Sequence, residues 1–182
     1  VLVHAAAGGV GLILTQWLKA IGARVIGTAG SAEKAALAKA HGADHVILYR
    51  EEDIARRVAE LTGGATCDVV IDGVGKDTFE ASLDSLRPRG LHISYGNASG
   101  PIGAVDFSIL ARKGSLFTTR PTLFSYYATR AEVEAGTARL FEMVASGKVK
   151  VRIDQSYALG DAAQAHRDLE GRATTGSTVL LP

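Results

Sequence analysis

The chain has 182 residues, of which 47% are hydrophobic and 21% charged, and its formal net charge is +1. This is enough apolar mass for a globular core, and the balanced charge gives no sign of a nucleic-acid or polyanion partner. The single cysteine, Cys67, excludes an internal disulfide and a multi-thiolate zinc site within the chain, so a reducing cytoplasm is the simplest expected compartment.

The first 18 residues contain no Asp, Glu, Lys or Arg, which raises the question of a signal peptide or a membrane span. We reject both, because no basic segment comes first and because glycines, His4 and Gln16 interrupt the run. We therefore expect no membrane association. The chain lacks an initial Met and begins inside a predicted strand, so we expect it to be part of a longer protein.

Six short apolar runs predict β-strands whose ends follow one another every 20 to 24 residues. The runs are nearly continuous rather than alternating, which is typical of strands buried on both faces. They are VLVHA (1–5), RVIGTA (24–29), HVILY (45–49), DVVID (68–72), LHISY (91–95) and SLFTT (115–119).

Helical apolar stripes fill the gaps between these runs, and Gly22, Gly42 and Gly63 stand where helix C-caps belong. Strands and helices that alternate at this interval predict βαβ units with right-handed crossovers. The expected fold is therefore α/β, a Rossmann-type doubly wound parallel sheet of six strands.

The rhythm changes after residue 120. A loop precedes a long predicted helix, which is followed by a strand near IDQSYAL, a helix from about residue 161 to 170 with Asp161 as its N-cap, and a last strand, STVLL. The apolar stripe of the long helix comprises Val133, Gly136, Leu140, Phe141 and Val144. We expect the apolar residues from Val151 onward to pack on another domain, and we divide the chain into residues 1–150 and 151–182.

The segment AAAGGVG follows the first strand and opens a helix, which is the context that a dinucleotide-binding loop requires. In the frame G-x-G-x-x-G, Ala6 takes the first glycine position, Gly8 lets the backbone approach a pyrophosphate, and Gly11 allows close helix–strand packing. We expect Gly8, Gly9 and Val10 to seat the pyrophosphate. The alternative is a turn of small residues in some other α/β domain.

The segment TAGSAEK follows the second strand and carries no carboxylate at the strand end, where an NAD-binding fold usually has one. Gly30, Ser31 and Lys34 lead instead into a helix whose first turn favours an anion. A 2′-phosphate fits there, so we predict NADP(H) rather than NAD(H), although Glu33 is a mild objection. The alternative is that Ser31 is only an N-cap and Lys34 only a surface lysine.

Further candidates follow the later strands. Tyr49 ends the third strand, where an adenosine or its phosphate would lie, and Val74 belongs to the turn after Asp72. Small and amide residues after the fifth strand could line a nicotinamide pocket: Tyr95, Gly96, Asn97 and Ala98. Each has an ordinary alternative, as a strand-end tyrosine, a turn or a plain loop. His4 is predicted to be a core histidine, and no histidine shows metal-ligand spacing.

These segments together resemble the zinc-independent NADPH:quinone oxidoreductases related to zeta-crystallin, in the medium-chain dehydrogenase/reductase superfamily. The resemblance spans the whole chain. Its main carriers are VLVHAAAGGVGLILTQWLKAIGARVIGT, SAEKAALAKAHGADHVILYREED, VVIDGVGKDTFEASLDSLRPRGLHISYGNASG, ILARKGSLFTTRPTL and DAAQAHRDLEGRATTGSTVLLP.

The resemblance implies that residues 1–150 form the NADP(H)-binding domain. It also implies that residues 151–182 belong to a GroES-like catalytic domain, which the N-terminal half of the family's proteins forms and which is absent here. It implies that Lys34, Tyr49 and Arg172 surround the 2′-phosphate and that residues 95–98 contact the nicotinamide half. It also implies a homodimer formed through the edge strand at residues 114–119.

The implied activity is hydride transfer from NADPH to a quinone or an α,β-unsaturated carbonyl, with this chain alone inactive. No residue here stands out as a catalytic acid or base, and no metal ligand is assigned. Two alternatives stay open: a non-catalytic module that binds NADPH, and an enoyl reductase of the crotonyl type from the same superfamily.

Overall fold

The computed structural model describes all 182 residues and has a six-stranded parallel sheet in the order β3-β2-β1-β4-β5-β6. The strands are β1 (Leu2–Val3), β2 (Ile26–Ala29), β3 (His45–Leu48), β4 (Cys67–Asp72), β5 (Leu86–Ser94) and β6 (Phe117–Thr119). The helices between them are α1 (Gly9–Ala20), α2 (Ala32–Ala40), α3 (Ile54–Thr62), α4 (Phe79–Asp84) and α5 (Ser108–Arg112). The predicted doubly wound α/β fold is confirmed.

The chain changes direction across the sheet between β1 and β4, which are neighbours although two strands separate them in sequence. A crevice opens at such a reversal on the carboxyl side of the strands, where open α/β sheets bind their ligands. Leu2, Ile26, Ile47 and Val70 are buried in one core cluster beneath this edge. Because these strands are packed in the core, they form a rigid base for the loops that line the crevice.

Several strand boundaries differ from the prediction, those of β1, β5 and β6 among them. β1 has two residues rather than five, because Ala5 adopts a positive φ of 51° and turns the chain out of the sheet. β6 begins at Phe117, since Gly114 and Ser115 both have positive φ. β5 begins at Leu86 rather than at residue 91, and its register against β4 shifts between Cys67 and Val69.

The rest of the chain forms α6 (Leu123–Tyr126), α7 (Arg130–Ala145), β7 (Ile153–Ala158), a 3₁₀ turn (Leu159–Asp161), α8 (Ala162–Glu170) and β8 (Ser177–Leu181). β7 and β8 pair in parallel as a separate two-stranded sheet. Asp161 is at the expected N-cap position of α8, but its side chain makes no capping hydrogen bond. The division at residue 150 stays a prediction.

The apolar stripe predicted along α7 faces away from the sheet. Phe141 is 65% exposed and Val133 is 45% exposed, whereas Met143 is the buried residue of the helix. Val151, Ile153 and Leu181 in the last segment are also largely exposed. No helix of the structure combines the length and the apolar character needed to cross a bilayer.

Candidate functional site

A cavity of about 350 Å³ lies in the crevice at the carboxyl ends of the strands. Its walls come from the loops after β1 to β5 and from the C-terminal segment. The sequence-predicted site residues that line it are Gly8, Gly30, Lys34, Tyr49, Val74, Ala98 and Arg172. The fold thus brings half of the predicted site to one place, including residues that are 164 positions apart in the chain.

The loop after β1 places the N-terminus of α1 at this cavity, and no side chain caps this terminus. Gly8 is the N-cap and has no side chain to bond the first turn, and Leu12 is the first residue whose N–H bonds back into the helix, to Gly8 O. The N–H groups of Gly9, Val10 and Gly11 therefore lack intrahelical acceptors. Such a terminus attracts a phosphate through its dipole and its N–H donors.

The glycines of this loop differ in what surrounds them. A Cβ on Gly11 would lie 2.8 Å from Ala6 Cα, so only glycine fits between helix and strand there. A Cβ on Gly8 would meet nothing closer than Ala5 O at 3.4 Å, an ordinary contact. Gly9 faces the C-terminal segment, since its Cβ would approach Gly176 O at 3.0 Å. Packing within the chain explains Gly11, but it leaves Gly8 open to a ligand.

The first turn of α2 contains an N-cap residue, Ser31, and a positively charged residue, Lys34. Ser31 Oγ accepts a hydrogen bond from the N–H of Lys34, as an N-cap does, and Ser31 is exposed beside the cavity rather than lining it. Lys34 Nζ reaches back across the cavity and donates to Arg172 O at 2.6 Å and Thr174 O at 3.0 Å. The ammonium group is therefore fixed in position by the C-terminal segment.

Tyr49 and Arg172 complete the polar end of the cavity. The guanidinium of Arg172 donates to Tyr49 Oη at 3.5 Å, and its other terminal nitrogen lies 4.0 Å from Asp77 Oδ2. A Cβ on Gly30 would lie 2.7 Å from Tyr49 Oη, so a glycine there leaves the room that the phenol occupies. Two cations and a phenol hydroxyl converge here, a donor set suited to a phosphate.

The loop after β5 lies between this cavity and a second one of about 480 Å³, since Ala98 lines the first and Asn97 the second. The Tyr95 ring packs over Gly73, where a Cβ would lie 2.6 Å from its hydroxyl. Burial and the nearby Asp72 charge raise the pKa of Tyr95. The loop is thus anchored at Tyr95 and exposes Asn97 and Ala98.

Sequence reasoning missed several cavity residues, among them Asp77, Thr78, Leu169 and Thr174. Thr174 contributes a backbone carbonyl, which any residue type could supply, so no pattern identifies it. Leu169 lies on α8 and reaches the cavity only because the C-terminal segment folds back. No group of three or more His, Cys, Asp or Glu side chains in the structure could hold a metal ion.

Comparison with known proteins gives a family match. The sequence profile of the family described as zinc-binding dehydrogenase matches residues 9–142. A quinone oxidoreductase of Pseudomonas aeruginosa is 55% identical over 182 residues, and a 2-haloacrylate reductase of a Burkholderia species is 47% identical over 185 residues. The match covers the whole of this chain but only 56% and 55% of those proteins.

Solved structures agree with these sequence matches. The crystal structure of the Escherichia coli quinone oxidoreductase complexed with NADPH superimposes with a TM-score of 0.97 at 53% identity, covering 100% of this chain and 56% of that one. The chain therefore spans about half the length of the proteins to which it is similar, and the fold of that half is the same.

Proposed function

The chain belongs to the zinc-binding dehydrogenase family, as the resemblance to medium-chain dehydrogenases/reductases predicted, and we propose that it is the NADPH-binding part of an oxidoreductase. The proposed cofactor site is the cavity at the sheet reversal. Gly8, Gly9, Val10 and Gly11 form its pyrophosphate loop, and Gly30, Ser31, Lys34, Tyr49 and Arg172 hold the 2′-phosphate. Val74, Tyr95, Gly96, Asn97 and Ala98 line the nicotinamide half.

The observation that carries this proposal is the convergence of Lys34, Tyr49 and Arg172 at one end of the cavity, with no carboxylate at the end of β2. A ribose diol calls for an acceptor at that position, whereas a 2′-phosphate calls for donors and positive charge. The open N-terminus of α1 lies on the same cavity, at the side that a pyrophosphate would occupy. The complex of the E. coli structure with NADPH supports the same assignment.

The residues of this chain would bind and orient the cofactor rather than take part in proton transfer. When bound, NADPH supplies the hydride. The loop at residues 95–98 would fix the ring, while Lys34 and Arg172 would neutralise the phosphate. We assign no catalytic acid or base and no metal ligand to this chain, and we place the protein in the zinc-independent branch of its family.

We propose a quinone as the hydride acceptor, on the strength of the similarity to named quinone oxidoreductases. An α,β-unsaturated carbonyl is the second candidate, because the protein named 2-haloacrylate reductase is 47% identical. Both acceptors are electron-poor conjugated systems that can accept a hydride. The proposed compartment is the cytoplasm, where the free Cys67 thiol would stay reduced.

The test is an assay of NADPH oxidation by the whole oxidoreductase of which this chain is the proposed NADPH-binding part, with a benzoquinone, with a 2-haloacrylate, and with NADH in place of NADPH. We expect oxidation of NADPH with the quinone at a rate at least about tenfold that with NADH, which corresponds to about 1.4 kcal/mol of discrimination. NADPH binding without turnover on either acceptor would favour the non-catalytic module. Faster turnover on the haloacrylate would favour the enone reductase.

We also propose a homodimer that forms through the edge strand at residues 114–119. β6 is the last strand of the sheet, and Phe117 on it is 60% exposed. An exposed edge with an apolar side chain is a template for pairing with a second copy. Sedimentation equilibrium should give a dimer for the protein and a monomer for Phe117→Arg; a monomeric wild type would contradict this.

A further inference from the structure

A buried carboxylate lies directly beneath the cavity, at the carboxyl end of β4. Asp72 is fully buried, and each of its two oxygens accepts two hydrogen bonds. Oδ1 accepts from the N–H groups of Val74 at 2.7 Å and Gly75 at 3.1 Å. Oδ2 accepts from Thr78 Oγ1 at 2.8 Å and Ser82 Oγ at 3.0 Å. One side chain thus joins the turn at residues 73–75 to α4.

The surroundings keep this carboxylate ionised. Burial alone would raise the pKa of Asp72, but the His92 and His4 rings and the donors from Thr78 and Val74 hold it well below its usual range. His92 Nε2 lies 3.5 Å from Oδ2, and His4 reaches the network through Ser82 Oγ at 3.0 Å. An ionised acceptor makes stronger hydrogen bonds than a neutral one, so the turn is firmly fixed.

The turn at residues 73–75 is in turn hydrogen-bonded to the loop after β5. Gly73 O accepts from Ala98 N at 3.2 Å, and Val74 O accepts from Ser99 N at 2.8 Å and from Ser99 Oγ at 2.9 Å. Lys76 N donates to Gly100 O at 3.1 Å on the far side. Main-chain bonds therefore transmit the position of the turn to residues 98–100.

The turn at residues 73–75 and the loop after β5 are also closely packed against each other. A Cβ on Gly96 would lie 2.8 Å from Gly73 Cα, and a Cβ on Gly75 would lie 2.7 Å from Gly100 O. A shift of the turn would therefore displace the loop by a similar amount, since neither backbone can move aside.

We propose that Asp72 is a positioning residue that fixes the turn at 73–75, and through it the loop at 95–98, against the nicotinamide half of the cofactor. We do not expect Asp72 to position the site for the adenosine end of the cofactor, because Lys34, Tyr49 and Arg172 make no hydrogen bond to Asp72 or to the turn. This inference rests on the proposed binding of NADPH.

The test compares two ligands on the Asp72→Ala protein. Adenosine 2′,5′-bisphosphate carries the adenosine and the 2′-phosphate but no nicotinamide. We expect Asp72→Ala to weaken NADPH binding about tenfold while the bisphosphate Kd changes by less than about twofold. The fluorescence of bound reduced nicotinamide should also move toward that of the free cofactor. Asp72→Asn keeps an acceptor oxygen for the turn and should recover most of the NADPH affinity.

Two further variants keep the result interpretable. Ser99→Ala removes two side-chain hydrogen bonds, the one that Ser99 Oγ donates to Val74 O and the one that it accepts from Asp77 N, without changing the buried network. It should show the same selective loss, of smaller size. Asp68→Ala changes an exposed aspartate on the same strand, whose partner is Arg87, and should leave both ligands unaffected.

An equal loss of both ligands in Asp72→Ala and Ser99→Ala would overturn the inference, because it would mean a general structural role. Unchanged NADPH binding in both would overturn it as well. If Asp72→Ala does not unfold cooperatively and so is not properly folded, the binding results of Asp72→Asn and Ser99→Ala test the inference instead. A wild-type protein that binds neither ligand would overturn the proposed function itself, a result distinct from these.

Discussion

At the scale of single residues, Gly8 and Gly11 have the same side chain and different physical reasons for it. Gly11 lets α1 touch the strand-end backbone at Ala5 and Ala6, and no larger residue fits. Gly8 has an extended backbone with φ of −78°, which any residue adopts, and it has room for a Cβ within the chain. Only a ligand that approaches the loop closely would require glycine at this position.

Gly8→Ala should therefore leave stability within about 0.5 kcal/mol of wild type and weaken NADPH binding at least about tenfold. Gly11→Ala should lower the free energy of unfolding by about 1–3 kcal/mol through overpacking. Urea unfolding and calorimetric titration separate the two effects. Unchanged NADPH affinity in Gly8→Ala would show that the loop is only a structural turn.

His4 illustrates a second residue-scale effect, the cost of charging a buried group. Burial lowers the pKa of His4 from 6.5 to about 4, against the raising influence of Asp72. Thr28 Oγ1 and Ser82 Oγ partner its two ring nitrogens at 3.2 and 3.0 Å. His4 is fully buried with both ring nitrogens partnered, as the sequence predicts for a core histidine.

The unfolded chain protonates His4 near pH 6.5 while the folded protein holds it neutral to about pH 4, so the unfolded state binds the extra proton between these values. Stability should therefore fall as the pH is lowered through this window, by about 3 kcal/mol from this residue. Unfolding free energies measured across the window should show a shallower decline in His4→Gln. His166→Gln, at an exposed position, should keep the wild-type slope; equal slopes in all three would refute the assignment to His4.

At the scale of elements, the C-terminal segment contacts the glycine loop directly. Gly176 N donates to Ala7 O at 3.1 Å, and Gly8 and Gly176 form an isolated parallel bridge. Gly176 has φ of +54°, and a Cβ there would lie 2.9 Å from Arg152 O. The segment that supplies Arg172 and Thr174 to the cavity is held in place by this contact.

Gly176→Ala combines left-handed backbone strain with this contact and should cost about 1–3 kcal/mol of stability. It should also weaken NADPH binding, because the strand that follows Arg172 and Thr174 would shift. Gly160→Ala is the matched control in the same segment, since its φ is not positive and its Cβ would meet nothing within 4 Å. Urea unfolding and NADPH titration of both variants make the comparison, and indistinguishable variants would argue against the coupling.

At the scale of the whole molecule, the sequence predicts the six-stranded sheet because strands buried on both faces must be continuously apolar. It predicts the ends of these strands less well. The strands are shortened where Ala5 and Ser115 adopt positive φ values, and alanine and serine are not residue types from which a positive φ can be predicted. The proposed role of Asp72 depends on partners from a turn, from α4, from β5 and from the residue that follows β1. Likewise, the carbonyls that hold Lys34 are backbone atoms 138 and 140 residues away. Such contacts arise only from the folded chain.

The cavity is proposed to hold the 2′-phosphate of NADPH, and calorimetric titration with NADPH and NADH tests this binding most directly. We predict that the wild-type protein binds NADPH at least about tenfold more tightly and that Lys34→Ala loses this preference while still binding NADH. Lys39→Ala, an exposed lysine on the same helix, should keep it. Equal affinity for the two nucleotides in the wild type, or a preference that survives Lys34→Ala, would contradict a 2′-phosphate site at Lys34.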